Sequence, residues 1–372
     1  MIIIYDSFYQ KHDSGPTHPE NAGRLPAIIS ELEKCEFAEK LKFMKPYSAA
    51  AEQIQLIHSS EYVREIKKLS SSGGYHYLDM DTVVSKYTYE CALLAAGGCF
   101  KGLDLIFGSN KKKSKVYSKN SSELRSEDIL KFFALVRPPG HHAFKSMGSG
   151  FCIFNNISLA ARYAKTCYDI KKIMIIDFDA HHGNGTQDFF YNDGDVFYIS
   201  FHQYPHYPGT GYYNEIGSGN GKGFNLNFPF AAGTGDADYA AAFIEIIIPL
   251  AERFQPELIL VSAGYDSHLD DPLSSLELVD DSYFKIMILI SFISRLFCKN
   301  RLGIILEGGY NYSATARSVA KTISGCIIDS KLGKASSIFK LKEELELNNI
   351  YEPGLEKRNT DVFNNIKKIF QI

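Results

Sequence analysis

Apolar positions along the chain form short continuous runs that alternate with longer segments of helical period. The run Ile173-Met174-Ile175-Ile176 is apolar at every position, which is typical of a strand buried on both faces of a parallel sheet. The longer segments have the spacing and length of helices that cover such a sheet. This alternation predicts an α/β fold with a mostly parallel central sheet flanked by helices.

The pattern places the elements as follows. The predicted strands are Ile2–Tyr5, Phe132–Val136, Lys172–Asp177, Val196–Phe201, Phe224–Phe228, Leu258–Ser262 and Gly303–Leu306. The predicted helices are Arg24–Lys34, Tyr89–Phe107, Ile153–Lys165, Tyr239–Phe254, Ser282–Phe297 and Ser313–Ser324.

The whole chain, 1–372, is predicted to form one domain. The segment 109–128 is rich in Lys, Ser and Asn and separates a predicted helix from the next strand, so we interpret it as a surface insertion. Residues 331–372 form a C-terminal extension of alternating helix-like and polar stretches, to which the sequence assigns no role.

Composition argues against several classes of partner. The net charge of −3 offers no bulk attraction to nucleic acid or to an anionic membrane, so neither is expected to bind. The 7 cysteines are scattered without a Cys-x-x-Cys pair, which argues against a disulfide framework or a thiolate zinc site. The first residues lack the basic region of a signal peptide, and the apolar stretch 284–297 is interrupted by Lys285 and Arg295. We therefore expect a cytoplasmic protein; a homo-oligomer is left open.

Reactive side chains stand directly after four predicted strands, where ligands bind in parallel α/β sheets. In Arg137-Pro138-Pro139-Gly140-His141-His142, the Pro-Pro-Gly sequence takes the chain out of the sheet, so both imidazoles can face one cavity. In Asp177-Phe178-Asp179-Ala180-His181, alternation along a strand would present all three polar side chains on one face. Carboxylates crowded at a buried strand end repel each other, so this motif favours a bound cation.

The other two strand ends add an acid and a phenol. One strand is followed by Asp266, and another by Glu307-Gly308-Gly309-Tyr310, whose paired glycines let the backbone approach a site. Taken singly, Asp266 could cap a helix and Tyr310 could serve in packing. Together the four strand ends supply a metal set, two bases and a hydrogen-bond donor.

A set of Asp, His and Asp with one open position matches catalytic zinc, which keeps three protein ligands and a water. Because two carboxylates already balance the charge of the ion, its water should be acidified less than in an all-histidine site. The reaction then needs a general base, for which His141 and His142 are suited, and a carbonyl-polarising donor, for which Tyr310 is suited.

At these motifs the sequence resembles the histone deacetylase family of the arginase-deacetylase fold, from about Tyr5 to Ser324. The motifs that carry the resemblance are Arg-Pro-Pro-Gly-His-His, Gly-Phe-Cys-x-Phe-Asn, Asp-x-Asp-x-His-His-Gly-Asn-Gly-Thr and Glu-Gly-Gly-Tyr. Asn184 and Pro208-Gly209-Thr210-Gly211 resemble the class II and bacterial branch. The resemblance implies a single-domain fold with about eight strands and hydrolysis of N-ε-acetyl-lysine amides in proteins or peptides, with release of acetate.

The resemblance also implies roles for individual residues. The zinc ligands it implies are Asp179, His181 and Asp266. His142 would act as general base and then as general acid, oriented by Asn184. His141 would act electrostatically, oriented by Asp177. Tyr310 would donate a hydrogen bond to the acetyl carbonyl and then to the oxyanion.

Further roles concern the substrate. Gly150 would accept the scissile N–H through its carbonyl, and Phe151 and Tyr207 would form an aromatic tunnel around the lysine methylenes. Such a tunnel selects charge-neutralised arms, because an ammonium inside it would lose its hydration without a partner. Arg24 would lie near the acetate exit, and Asp81 is a candidate for contact with the substrate backbone at the rim.

Monovalent cations, K⁺ or Na⁺, are also implied by the resemblance. The ligands of the first are Asp177, the carbonyls of Asp179 and His181, and Ser200 with Phe201. The ligands of a second are Phe190, Asp193, Val196 and Phe224.

Three alternatives remain at this point. The acetylpolyamine-directed branch of the family places an acid after the Asp-Pro that follows the third ligand, whereas this chain has Leu273 there, which favours acyl-lysine. A two-manganese ureohydrolase would want a carboxylate at the position of Gly183, so we discount it. A catalytically silent acyl-lysine-binding protein is the alternative of a different class.

Overall fold

The computed structural model describes residues 1–108, 130–328 and 355–372. Its central feature is one sheet of 8 parallel strands in the order β2-β1-β5-β10-β9-β6-β7-β8. These strands are β1 Ile2–Ile4, β2 Lys42–Met44, β5 Lys131–Ala134, β6 Ile173–Asp177, β7 Val196–Gln203, β8 Asn225–Phe230, β9 Leu258–Ala263 and β10 Leu302–Leu306. A separate antiparallel hairpin is formed by β3 His76–Tyr77 and β4 Val83–Val84.

Helices cover both faces of the sheet. They are α1 Arg24–Lys34, α2 Ala51–Ile54, α3 Ser60–Ser72, α4 Thr88–Phe107, α5 Asn156–Tyr168, α6 Asn184–Phe190, α7 Asp236–Ala242, α8 Ile248–Phe254, α9 Asp280–Phe297, α10 Tyr312–Ile328 and α11 Thr360–Phe370. A π-helical turn, Phe243–Ile247, joins α7 to α8, and short 3-10 helices span Ser7–Lys11, Ala38–Lys40, Gly219–Gly221 and Lys357–Asn359. Within the described ranges, no helix combines the length and apolar character that crossing a membrane requires.

The predicted α/β fold is confirmed, and every predicted strand and helix overlaps an observed one. Some observed elements were not predicted. β2 was missed because it is a three-residue edge strand with Lys42 and Phe43 exposed. Helix α3 was missed as well, although Ser59 caps its N-terminus by accepting the N–H of Tyr62 at 3.2 Å.

The C-terminal end of the chain packs onto the core. In α11 the side chains of Phe363, Ile366 and Phe370 are buried. The Phe363 ring lies 5.9 Å from that of Phe228 on β8, measured between centroids. Part of the predicted extension, 355–372, is thus a structural element of the sheet edge. The predicted insertion 109–128 and the remainder of the extension, 331–354, lie outside the described residues.

Candidate active site

Asp179, His181 and Asp266 converge beyond the carboxyl ends of β6 and β9. All three are buried, and their candidate ligand atoms lie within 4.8 Å of one another. His181 Nδ1 is 2.9 Å from Asp266 Oδ2 and 3.1 Å from Asp179 Oδ1. One nitrogen and two carboxylate oxygens therefore face a common point, as a metal with three protein ligands requires.

The electrostatics of this cluster fit a cation. Burial raises the pKa of Asp266, and the neighbouring charge of Asp179 raises it further, to about 7. Burial alone would lower the pKa of His181, but Asp266 and Asp179 outweigh it and raise this pKa to about 10. Two carboxylates close together in a buried site are stabilised by a positive charge between them.

Two glycines make room for the carboxylates. A Cβ on Gly308 would lie 2.6 Å from Asp179 Oδ2 and closer still to Asp266 Oδ2, and a Cβ on Gly264 would overlap Asp179. Backbone groups then orient the acids: the N–H of Gly308 donates to Asp179 Oδ2 at 2.9 Å, and that of Ala180 donates to Asp266 Oδ1 at 2.8 Å. Of the predicted pair Gly308-Gly309, Gly308 allows this close approach to the two acids.

The prediction of a single strand face for Asp177, Asp179 and His181 was wrong. Strand β6 ends at Asp177, and the next two side chains belong to the loop beyond it. Asp177 Oδ1 accepts the N–H of Asp179 at 3.2 Å, and Asp179 Oδ1 accepts the N–H of His181 at 2.9 Å. These local bonds turn the chain, so Asp177 faces His141 while the other two face Asp266.

His141 and His142 follow β5 and lie beside the metal cluster, with ring centroids 4.0 Å apart. His141 Nδ1 is 3.1 Å from Asp177 Oδ2, and His142 Nδ1 is 2.9 Å from Asn184 Oδ1. Because Nδ1 of His142 pairs with an acceptor oxygen, its Nε2 is left with a free lone pair.

The two imidazoles differ in charge. Burial would lower the pKa of His141, but Asp177 and Asp179 outweigh it and raise this pKa to about 10. Burial lowers the pKa of His142 well below its ordinary value, and the positive His141 and His181 lower it further. These surroundings favour the charged form of His141 and the neutral form of His142, a division typical of sites with acid–base chemistry.

Tyr310 lies half-buried at the end of β10, with Arg24 behind it. The Arg24 guanidinium carbon is 5.1 Å from the centre of the Tyr310 ring. Arg24 is buried and donates through Nε to the carbonyl of Gly309 at 2.7 Å and through Nη1 to Glu20 at 3.3 Å. The N–H of Tyr310 donates to Asp271 at 2.6 Å, which fixes the backbone that carries the phenol.

Aromatic side chains border the approach to the two histidines. The Phe151 ring lies 5.8 Å from that of Tyr310, and the Tyr207 ring lies 5.2 Å from that of His142, both between centroids. Gly150 has a φ of +53°, and a Cβ there would lie 2.5 Å from His142 Cδ2. Glycine is therefore needed at 150 both for its backbone conformation and for the close approach of the imidazole.

The rim of this approach depends on an acid that the sequence analysis passed over. Asp79, and not Asp81, accepts the N–H of Gly150, at 3.1 Å. It also accepts the N–H of Thr82 at 2.6 Å, which closes the turn between β3 and β4. The Asp81 side chain is exposed, and its carbonyl accepts from His18 Nε2 at 2.9 Å. Asp81 thus lies exposed at the rim, while Asp79 holds the loop of Gly150.

The loop that carries Tyr207 is held by histidines for which no role was predicted. His182 Nδ1 lies 2.7 Å from Thr210 Oγ1, and His202 Nε2 lies 2.8 Å from the carbonyl of Gly211. On the same loop, His206 Nε2 is 2.9 Å from the carbonyl of Leu273, which is half-buried. Leu273 therefore lies beside the loop that forms the tunnel wall.

The residues of the first predicted monovalent site are neighbours. Asp177 on β6 pairs in register with Ser200 on β7, which Phe201 follows. Asp177 Oδ2 also accepts the Tyr198 hydroxyl at 3.0 Å, so this carboxylate already has several donors.

The residues of the second predicted monovalent site surround the turn between α6 and β7. Phe190 and Phe224 offer carbonyls there, but both already accept a backbone N–H, as does the carbonyl of Asp193, which binds Val196 at 3.3 Å. The Asp193 carboxylate pairs with Arg162 at 2.9 Å and with Lys165 at 3.2 Å. A cation would have to rely on backbone oxygens, since the acid already has two cationic partners.

A second buried group of possible ligands comprises His141, Cys152 and Glu307. It is a poor metal site, because the oxygens of Glu307 are taken by N–H and O–H donors and His141 Nδ1 faces Asp177. Burial raises the pKa of Glu307 to about 7. Neither Cys152 nor Glu307 was predicted to have a role beyond membership of a motif.

Comparison with known proteins agrees with this architecture. The chain matches the family model of the histone deacetylase domain over residues 18–326. It therefore belongs to the histone deacetylase family, whose members are hydrolases acting on amides.

Individual relatives match most of the chain. "Histone deacetylase 10, chloroplastic" of Oryza sativa is 40% identical over 331 residues, covering 86% of this chain and 72% of the relative. "Polyamine deacetylase HDAC10" of Danio rerio is 32% identical over 345 residues, covering 88% of this chain and 47% of the relative. The crystal structure of the HDA15 HD domain matches with a TM-score of 0.78 and 31% identity, covering 94% of this chain and 97% of that one. The predicted arginase-deacetylase fold is thereby confirmed.

Proposed function

We propose that this protein is a zinc-dependent deacetylase that hydrolyses N-ε-acetyl-lysine amides in proteins or peptides. The observation that carries the proposal is the convergence of Asp179, His181 and Asp266 on one point beside a neutral imidazole, His142. Family membership supports amide hydrolysis, and the donor set of one nitrogen and two oxygens suits zinc. Bound there, the ion would polarise the acyl carbonyl and the attacking water.

His142 is the residue that moves protons in this proposal. Its neutral Nε2 accepts a proton from water as the water attacks the acyl carbon. The same nitrogen then gives that proton to the leaving lysine amine. Asn184 holds Nδ1 at 2.9 Å and so fixes the tautomer that leaves Nε2 basic. The cationic His141, held by Asp177, stabilises the negative charge that develops on the reacting carbonyl.

The remaining residues orient the substrate. Tyr310 donates its hydroxyl hydrogen to the acyl carbonyl oxygen, and burial raises its pKa well above the ordinary value, so the phenol keeps this hydrogen. The carbonyl of Gly150 accepts the N–H of the scissile amide, and Phe151 and Tyr207 pack against the methylenes. Arg24 lies behind Tyr310, where the acetate would leave, and Asp81 at the rim would accept from the substrate backbone.

Leu273 supports an acyl-lysine substrate over an acetylpolyamine. A polyamine carries a second ammonium, which needs a carboxylate partner where it leaves the tunnel. The side chain beside the Tyr207 loop is aliphatic instead. Because one relative is by name a polyamine deacetylase, hydrolysis of acetylpolyamines is the second candidate function.

We also propose one structural K⁺ or Na⁺ at Asp177, Asp179, His181, Ser200 and Phe201, and a second at Phe190, Asp193, Val196 and Phe224. A cytoplasmic location remains a proposal, and one relative is by name chloroplastic. We further propose that the whole chain, 1–372, forms one domain.

The test is a panel of acetyl-lysine peptides and acetylpolyamines, with metal analysis of the purified protein. We expect about one zinc per chain and a peptide rate that falls roughly 100-fold or more in His142→Ala, whose zinc content should stay unchanged. Equal rates in the two proteins would favour a silent acyl-lysine-binding protein. A preference for acetylpolyamines would overturn the substrate assignment.

A further inference from the structure

Glu307 is a fully buried acid that the proposed chemistry does not use. It follows the last residue of β10 and has a relative exposure of 0%. A buried carboxylate is costly unless hydrogen bonds satisfy it. The contacts of the Glu307 carboxylate therefore indicate its role.

The Glu307 carboxylate binds the segment that carries the two histidines. Its Oε2 accepts the backbone N–H of Gly140 at 2.6 Å and that of His141 at 3.2 Å. Its Oε1 accepts the hydroxyl of Ser262 on β9 at 3.1 Å. The acid thus spans from the β9–β10 side of the sheet to the loop after β5.

The backbone on either side of Glu307 is fixed by the rest of the site. The N–H of Glu307 donates to the carbonyl of Ala263 at 2.9 Å, and its carbonyl accepts from Arg24 at 2.5 Å. The next N–H, of Gly308, donates to Asp179 at 2.9 Å, and the phenol of Tyr310 comes two residues later. The segment 307–310 therefore makes three connections. It binds a candidate metal ligand, it carries the phenol of Tyr310, and through the Glu307 side chain it binds the loop of His141 and His142.

Other contacts hold the histidine loop from a different side. The carbonyl of His141 accepts the N–H of Thr186 at 3.0 Å, and the carbonyl of His142 accepts the hydroxyl of Ser149 at 2.9 Å. Those bonds fix the loop to the region of α6 and the Gly150 loop. The bonds to Glu307 fix it to the strand that leads to Tyr310.

We propose that Glu307 is a positioning residue that sets His141 and His142 relative to Tyr310 and the metal ligands through its hydrogen bonds to the backbone N–H groups of Gly140 and His141. The inference rests on the proposed function and deepens it. A displacement of the base by about 1 Å is enough to cost roughly 100-fold in rate.

Two conservative variants separate the reach of the side chain from its charge. Glu307→Gln keeps the length: its carbonyl oxygen can accept the two N–H groups, and its amide can donate to Ser262. Glu307→Asp keeps the charge but is shorter by one methylene, so the carboxylate no longer reaches Gly140. We expect Glu307→Gln to keep most of the wild-type kcat and Glu307→Asp to lose roughly 100-fold in kcat with KM and bound zinc unchanged.

Amide hydrogen exchange of residues 140–143 gives a readout that needs no turnover. Exchange should be about tenfold faster in Glu307→Asp and unchanged in Glu307→Gln, because only the shorter side chain leaves these N–H groups without an acceptor. Should thermal unfolding show that Glu307→Asp is not folded, Ser262→Ala replaces it. Removing the Ser262 hydroxyl, which donates to Glu307 Oε1, should also speed exchange at Gly140. Unchanged exchange would overturn the proposal.

The outcomes are distinct. A loss of kcat in Glu307→Gln with full kcat in Glu307→Asp would assign the effect to charge and overturn positioning, and so would full activity with unchanged exchange in Glu307→Asp. If the wild-type protein hydrolyses no acylated substrate, the proposed function fails, and the exchange measurement still decides the role of Glu307.

Discussion

Gly308→Ala is predicted to weaken zinc binding without disturbing the fold. The added Cβ would lie 2.6 Å from Asp179 Oδ2, whereas an ordinary contact begins at 3.4 Å, so this oxygen must retreat by about 0.8 Å. The oxygen of Asp266 must move further. Zinc–ligand distances hold to within about 0.2 Å, so neither carboxylate could keep its bond without moving the ion. We expect the zinc Kd to rise roughly 10- to 100-fold, the range seen when ligand orientation is disturbed.

The matched control is Gly235→Ala, where the nearest atom to an added Cβ is 3.9 Å away. Both changes restrict the unfolded chain equally, so a difference between them reports the crowding of the site. The assay is competition for zinc against a chelating dye, with thermal unfolding of the metal-free proteins to check the fold. Zinc affinities for the two variants within about threefold of each other would refute the reasoning, since that is far below the expected loss.

Further predictions test the donor, the tunnel exit and a buried histidine. Tyr310→Phe should lower kcat on an acetyl-lysine peptide by roughly 100- to 1,000-fold with KM unchanged, because it removes one donor to the oxyanion. Leu273→Glu should raise kcat/KM for an acetylpolyamine relative to that peptide by about fivefold, the effect of one partly exposed ion pair; no change would count against the substrate assignment. Burial lowers the pKa of His58 from 6.5 to about 4, so the unfolded chain binds its proton first and stability is lost as pH falls from 6.5 towards 4. The contribution of His58 to the free energy of unfolding is at most roughly 3 kcal/mol. In His58→Gln, the urea-unfolding free energy should therefore fall less steeply between pH 6.5 and 4. An equally steep fall in the variant would contradict this prediction.

Much of the fold follows from the hydrophobic pattern, because its central strands are buried on both faces. Helix α1 begins and ends at the predicted residues, Arg24 and Lys34, since its apolar face has a regular period. The edge strand Lys42–Met44 has no such hydrophobic pattern, because its side chains are exposed or half-buried. It is held by backbone pairing with β1, which the sequence pattern does not reveal.

The part of the site whose reactive side chains directly follow strands could be predicted from the sequence. The clustering of Asp179, His181 and Asp266 with the two histidines could be predicted in this way, because the carboxyl ends of parallel strands meet at one edge. The role of Glu307 could not, since its partner Gly140 is 167 residues away and offers only a backbone N–H. The role of Asp79 was missed for a similar reason, because it depends on the turn that aims this carboxylate at the backbone N–H of Gly150.

The central claim is that three side chains from two strand ends hold one zinc ion. The most direct test is anomalous diffraction at the zinc edge from crystals of the protein purified with its metal. The account predicts a single strong peak bounded by Asp179 Oδ1, His181 Nδ1 and Asp266 Oδ2. A peak elsewhere, or full hydrolytic activity in crystals that show none at this point, would contradict it.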